Sequence, residues 1–204
     1  MRILLTNAGK RFNREWIFRH VNQEFVTGNS YAVTGHNGSG KSTLLQVIAG
    51  AILPNEGGLQ LHSEKMIRAE DHFKHVSIAA PYLELVEEMT AHEFLNFHSQ
   101  FKPFLGNMNS SAIIEKVDLA HAGDKQIRYY SSGMKQRLKL AQCILADTAF
   151  ILLDEPCTNL DEKGIALYHS LIEEFASDRC VIVSSNDKIE YNFCKSAINM
   201  ADLK

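Results

Sequence analysis

The sequence predicts an α/β fold with a mainly parallel core sheet, an antiparallel β-subdomain built from N-terminal strands, and a helical subdomain at about residues 82–145. Three observations predict it. A short apolar strand, Tyr31–Thr34, runs into a glycine-rich loop and then a helix-compatible segment. Two wholly apolar runs, Phe150–Leu153 and Cys180–Val183, each stop at polar residues, the pattern of parallel strands covered on both faces. Between these landmarks, apolar residues from Tyr82 to Leu145 recur at three- and four-residue spacing, which is helical.

The bulk properties narrow the function classes. With 204 residues, 45% of them hydrophobic, the chain has enough apolar material for one α/β domain with a real core. A net charge of −3 leaves no whole-chain basic footprint, so no nucleic-acid partner is expected. The four cysteines, Cys143, Cys157, Cys180 and Cys194, form no C-x-x-C pair, which points away from zinc or a disulfide framework and toward a reducing cytosol. No apolar run approaches the roughly 18 residues of a membrane span, and the first residues lack a signal-peptide pattern. A membrane connection is therefore expected only through a partner.

Taken in order, Met1–Thr6 reads as a strand, Asn7–Arg14 as a basic turn, and Trp16–Val26 as further strand ended by Gly28-Asn29. No helical period precedes the glycine loop, so these strands are expected to pair antiparallel beside the core sheet. After Gly50, Pro54–Gly58 signals a turn and Leu59–Leu61 a short strand. Residues 62–75 are polar and hold His62, His72 and His75 without metal-ligand spacing, and read as solvated loop histidines. Val76–Ala80 is another strand, closed by Pro81. The helical block follows, with a second periodic stretch from Ile113 to Leu119. A third helix begins after Ser131-Ser132-Gly133, its apolar stripe formed by Met134, Leu138, Ala141 and Leu145. Residues 163–176 form an amphipathic helix, and Ala197–Met200 a last strand.

The chemistry concentrates in the stretch Gly35-His36-Asn37-Gly38-Ser39-Gly40-Lys41-Ser42-Thr43. It fits the phosphate-binding pattern G-x-x-x-x-G-K-[ST]. Its glycines let successive backbone N–H groups turn toward an anion, Lys41 adds a point charge for the β- and γ-phosphates, and the Ser42 hydroxyl can ligate Mg²⁺. Asp154, at the end of an apolar strand, is placed to hold Mg²⁺ opposite Ser42, and Glu155 to orient or deprotonate an attacking water. Serine caps at Ser131 and Ser132 give a second helix N-terminus suited to an anion. Phe12 and Trp16 are aromatic rings able to stack on a base or simply to pack in a strand.

The order of these motifs resembles the ATP-binding subunit of ABC transporters over nearly the whole chain, which implies a P-loop NTPase fold of the ABC ATPase type and a single ATP-binding domain spanning 1–204. Gly35–Thr43 resembles the Walker A loop and Phe150–Pro156 the Walker B strand. Tyr130–Arg137, with Ser131, Ser132, Gly133 and Met134 at its centre, resembles the family signature, and Asn159-Leu160-Asp161 the D-loop. Phe12 falls where that family places its base-stacking aromatic. The resemblance implies ATP and Mg²⁺ as cofactors, and a head-to-tail dimer with a second ATP-binding subunit, identical or not. There, Ser131 and the Gly133 backbone would meet the γ-phosphate held by the partner's Walker A loop. It also implies a separate transmembrane permease subunit and a cytoplasmic position on the inner face of the membrane.

Three departures stand out. Ser132 and Met134 replace the usual glycine and glutamine of the signature; Pro81, followed by Tyr82, stands where a glutamine usually senses the γ-phosphate and Mg²⁺; and Asn186 aligns with the switch histidine. Asparagine can hydrogen-bond a phosphate but carries no proton or charge at neutral pH. With Glu155 intact, hydrolysis is expected, slowly or with help from a better-equipped partner subunit. Two other readings stay open from the residues alone: an ABC-type ATPase acting on nucleic acid or ribosomes, and a regulatory nucleotide-binding subunit.

Overall fold

In a computed structural model, which describes residues 1–203, nine strands fall into two sheets among the described residues. The first sheet is antiparallel. β1 (Arg2–Phe12) and β2 (Glu15–Val26) form a hairpin in register from Arg2↔Val26 to Phe12↔Glu15. β4 (Glu56–His62) pairs with the other side of β1, and β5 (Met66–Ile67) with β4.

Two stretches expected as turns are strand here. Asn7–Phe12 continues β1, with register shifts after Leu5, Ala8 and Lys10 that absorb the residues unsuited to a regular ladder. Asn7 takes φ +47°, a left-handed value that asparagine tolerates better than most residues. Opposite this bulge, Gly57 sits inside β4 at φ +69°, and a Cβ there would lie 2.2 Å from the Asn7 carbonyl oxygen. Gly57 thus serves a close backbone approach inside the strand, where the composition of 54–58 had suggested a reversal.

The second sheet has the order β6-β7-β8-β3-β9, from β6 (Val76–Ala79), β7 (Phe150–Asp154), β8 (Cys180–Ser184), β3 (Ser30–Thr34) and β9 (Ser196–Asn199). β7 with β8, β8 with β3, and β3 with β9 are parallel pairs, so Asp154, Ser184 and Thr34 all end at one edge. Every residue of β7 and β8 is buried. Leu44, Leu45, Val47 and Ile48 of α1 (Lys41–Ile48) join Phe18, Phe25, Phe150, Ile182 and Met200 in one core. α6 (Lys188–Tyr191) follows β8. All four cysteines are free thiols, and burial pushes those of Cys180 and Cys194 up to about 12.

The chain divides into two compact units. The first comprises Met1–Ile78, Ala149–Asp154 and the residues from Asp178 onward; the second comprises Ala79–Thr148 and Glu155–Ser177. The second is helical: α2 (Ala91–Ser99), α3 (Ser110–Lys116), α4 (Ser132–Ile144) and α5 (Glu162–Phe175). The helix expected from Tyr82 onward begins only at Ala91, and Leu83 and Val86, which carried the early part of that period, are exposed. A capping box sets the true start. Thr90 Oγ1 accepts from the Glu93 amide at 3.2 Å, and Glu93 Oε2 accepts from the Thr90 amide at 2.8 Å. Side chains of Asn109, Ser131 and Asp161 cap the other three helices in the same unit.

His98, near the end of α2, meets the Gln142 amide nitrogen through Nδ1 at 3.0 Å, while its Nε2 is buried without a partner among the described residues. Burial, assisted by the nearby Lys102 charge, lowers its pKa from 6.5 to about 4. The unfolded chain therefore takes up this proton near pH 6.5, whereas the folded chain resists until about pH 4. His98 contributes stability above pH 6.5 that is lost as pH falls through that window. Urea midpoints measured at pH 7, 6 and 5 should fall with pH, and His98→Gln should flatten part of that slope; an unchanged slope would place the titration elsewhere.

Candidate nucleotide site

The glycine loop joins β3 to α1, and its conformation is one that side chains resist. Gly35, Gly38 and Gly40 have φ of +144°, +79° and +102°. Gly40 is the N-cap of α1, and a Cβ there would lie 2.2 Å from Ile17 Cγ2. Among the described residues no side chain caps α1, so its first amides depend on partners outside the helix, at the positive end of its dipole. His36, Asn37 and Gly38 are exposed at the loop tip, and His36 Nδ1 lies 2.9 Å from the Asn37 carbonyl oxygen.

Lys41 is buried, and its Nζ donates to the Gly35 carbonyl at 2.6 Å and the His36 carbonyl at 3.4 Å. The ammonium thus lies across the base of the loop. Ser39 Oγ is buried with no hydrogen-bond partner among the described residues, an unusual cost for a hydroxyl inside a folded chain. Ser42 and Thr43, half-buried, occupy the first turn of α1. A phosphate chain fits this donor set: an orphaned hydroxyl, an uncapped helix and a buried cation.

Two further residues reach the same sheet edge. Asp154 closes β7 at 3% exposure, and Ser184 Oγ donates to its Oδ1 at 2.6 Å. Asn186, just past β8, accepts from the Gly35 amide through Oδ1 (3.3 Å) and donates through Nδ2 to Asn37 Oδ1 (3.2 Å). A residue far along the chain is therefore bonded to both the first and third residues of the loop. A hydroxyl in the first turn of α1 and a buried carboxylate at the end of β7 are hard oxygen donors, the kind Mg²⁺ selects.

Phe12 ends β1 at 51% exposure, with the Lys10 ammonium 5.4 Å from its ring centre. Trp16, the other aromatic considered for stacking, is half-buried and lies under the guanidinium of Arg19, 4.5 Å from its ring centre.

The second unit gathers the remaining candidates. Ser131, Ser132, Gly133, Met134 and Asp161 line one cleft of about 310 Å³, with Asp118, His121, Arg137, Asn159 and Leu160. Ser131 Oγ accepts from the Met134 amide at 3.2 Å, capping α4, and a Cβ on Gly133 would lie 3.0 Å from the Asn159 carbonyl oxygen. Asp161 Oδ1 accepts from the Gly164 amide at 2.8 Å, which, together with Arg137, holds its carboxyl below the usual range.

Arg137, which in the sequence stands only as the last residue of the signature-like stretch Tyr130–Arg137, has a specific place in this unit. Its guanidinium pairs with both Asp118 (3.2 Å) and Asp161 (3.3 Å), joining α4 to the cap of α5. Glu155, also in this unit, is exposed and held at φ +46°, a strained value for a non-glycine residue. Pro81 and Tyr82 are exposed, and Lys139 Nζ donates to the Ala80 and Pro81 carbonyls at 3.4 and 3.3 Å.

Comparison with known proteins matches residues 18–158 to the family model for the ABC transporter. The chain belongs to the ABC transporter ATP-binding family. It is 30% identical over 200 residues to an uncharacterised ABC transporter ATP-binding protein, YybJ, of Bacillus subtilis, covering 97% of this chain and 92% of that one. It is 32% identical over 171 residues to the cytochrome c biogenesis ATP-binding export protein CcmA of Nitrosococcus oceani, covering 83% and 78%. Among solved structures, it shares its fold with the dimeric ATP-binding cassette MJ0796 in a post-hydrolysis state bound to ADP and Pi. The TM-score is 0.82 at 22% identity, over 97% of this chain and 93% of that one. The mainly parallel sheet, antiparallel sheet and helical part expected from the sequence are the ABC ATPase architecture.

In this ABC-family chain the loop conformation itself is testable. Gly40→Ala combines a left-handed φ with a 2.2 Å clash, and should lower unfolding free energy by about 2 kcal/mol or more and weaken nucleotide binding. Thermal denaturation and fluorescent-nucleotide titration would show both, and a variant with wild-type values would contradict the backbone reading.

Proposed function

We propose that this chain binds and hydrolyses ATP to power an ABC transporter, closing on a second ATP-binding subunit when ATP is bound and loosening after hydrolysis. The observation that carries this reading is the loop at the sheet edge, with buried Lys41 and the unpartnered Ser39 hydroxyl facing the needs of a phosphate chain. The names of similar proteins support it: one is an ATP-binding export protein, and a structure of the same fold is a dimer holding ADP and Pi.

The residues take the following parts. Backbone amides from Gly35 to Thr43 and the Lys41 ammonium bind the β- and γ-phosphates, and Phe12 stacks on the base. Ser42 and Asp154 hold Mg²⁺, which supplies charge neutralisation on the phosphates. Glu155 is the general base for the attacking water. Ser131, Ser132, Gly133 and Met134 at the α4 N-terminus, with Asp161, form the surface that meets the partner subunit's ATP. Asn186 holds the loop and offers an uncharged amide toward the γ-phosphate.

The cargo-bearing partner is a separate transmembrane permease; no helix of the described residues is itself long and apolar enough to cross a membrane. The chain sits on the cytoplasmic face through that partner. Slow turnover is the finer form of the reading, favoured because Asn186 has no titratable group and is already bonded twice to the loop.

The test is a comparison of ATPase rates and ATP-dependent dimerisation. Glu155→Gln should lower kcat by about a hundred-fold or more and trap an ATP-bound dimer visible by light scattering. Unchanged hydrolysis in Glu155→Gln would remove that residue from the chemistry. Co-purification from gently solubilised membranes should bring down a multi-span protein; ribosomes or nucleic acid in its place would overturn the transporter reading.

A further inference from the structure

The last residue of β8 is the one polar group in a strand that otherwise reads Cys-Val-Ile-Val, and it is fully buried. A buried serine loses hydration without adding apolar surface, so its presence needs an acceptor. That acceptor is Asp154. The two residues are direct neighbours in the parallel β7–β8 register, and the hydroxyl donates to Asp154 Oδ1 at 2.6 Å, a length typical of a hydroxyl bonded to a carboxylate. The next residue is engaged elsewhere. The Ser185 amide donates to the Val33 carbonyl at 3.1 Å, and the Ser185 hydroxyl accepts from the Asp187 amide.

We propose that Ser184 is a positioning residue for the metal-ligand carboxylate. By engaging Oδ1 within the core, its hydroxyl fixes the rotamer of Asp154 and sets the direction in which the carboxylate is presented at the sheet edge. Without that hydroxyl, a carboxylate at 3% exposure loses this donor and rotates in search of another. The proposal rests on the reading of Asp154 as a Mg²⁺ ligand.

The experiment measures the affinity of a fluorescent ATP analogue in Mg²⁺ and again in EDTA, for wild type, Ser184→Ala, Ser184→Thr and Asp154→Asn. The Mg²⁺-dependent gain in affinity should fall about ten-fold in Ser184→Ala, the scale of one hydrogen bond to a charged group, while the EDTA value stays within about two-fold. Ser184→Thr, which keeps the hydroxyl, should recover most of the gain. Should Ser184→Ala fold poorly, the Thr variant and a Ser184→Cys variant, which replaces the hydroxyl with a weak donor, carry the same comparison.

If Ser184→Ala keeps the full Mg²⁺ gain while Asp154→Asn loses it, the positioning role is wrong and Asp154 remains a ligand. If both keep it, the reading of Asp154 fails first. An equal loss with and without Mg²⁺ in Ser184→Ala would make the serine a general support of the fold and overturn the proposal.

Discussion

Burying ionisable groups at the edge of an apolar parallel sheet is the constraint on which the rest of this structure depends. Lys41 and Asp154 are both below one-tenth exposed, and neither can be held there without polar partners supplied by the fold. For Lys41 these are the Gly35 and His36 carbonyls, which point inward because the glycines adopt positive φ. For Asp154 the partner is the Ser184 hydroxyl, brought alongside by strand register. The antiparallel sheet contributes to the same constraint, since Ile17 of β2 packs so near Gly40 that no larger residue fits.

The helical unit solves a related problem by capping. Each of its four longer helices begins with a side-chain acceptor, at Thr90, Asn109, Ser131 and Asp161. Two of these caps, Ser131 and Asp161, also line one cleft of the unit. Arg137 ties Asp161 to the helix that Ser131 begins.

Much of the fold was legible because its signals are local. Strands β7 and β8 are apolar throughout, α5 is periodic, and the phosphate loop is recognisable by composition and spacing. The misreadings arose where two signals competed. Leu83 and Val86 have helical spacing but lie in an exposed segment, while the Thr90–Glu93 capping box marks the real start. Asn7–Phe12 and Glu56–Gly58 have turn composition, yet bulges and a left-handed glycine let them pair as strands. Arg137 and Ser184 carried faint signals, a cation ending the signature-like stretch and a serine ending a buried run, which acquire meaning only beside their partners.

By itself the sequence determined the phosphate-loop pattern, the parallel-sheet class and the family, because each depends on residue types at short, fixed spacings. Only the tertiary structure decided that Asn186 bonds the loop at Gly35 and Asn37 and that Ser184 engages Asp154. Those facts depend on strand order, which places β8 between β7 and β3. Strand order is a property of long-range packing, and no local pattern in a chain encodes which distant strand becomes a neighbour.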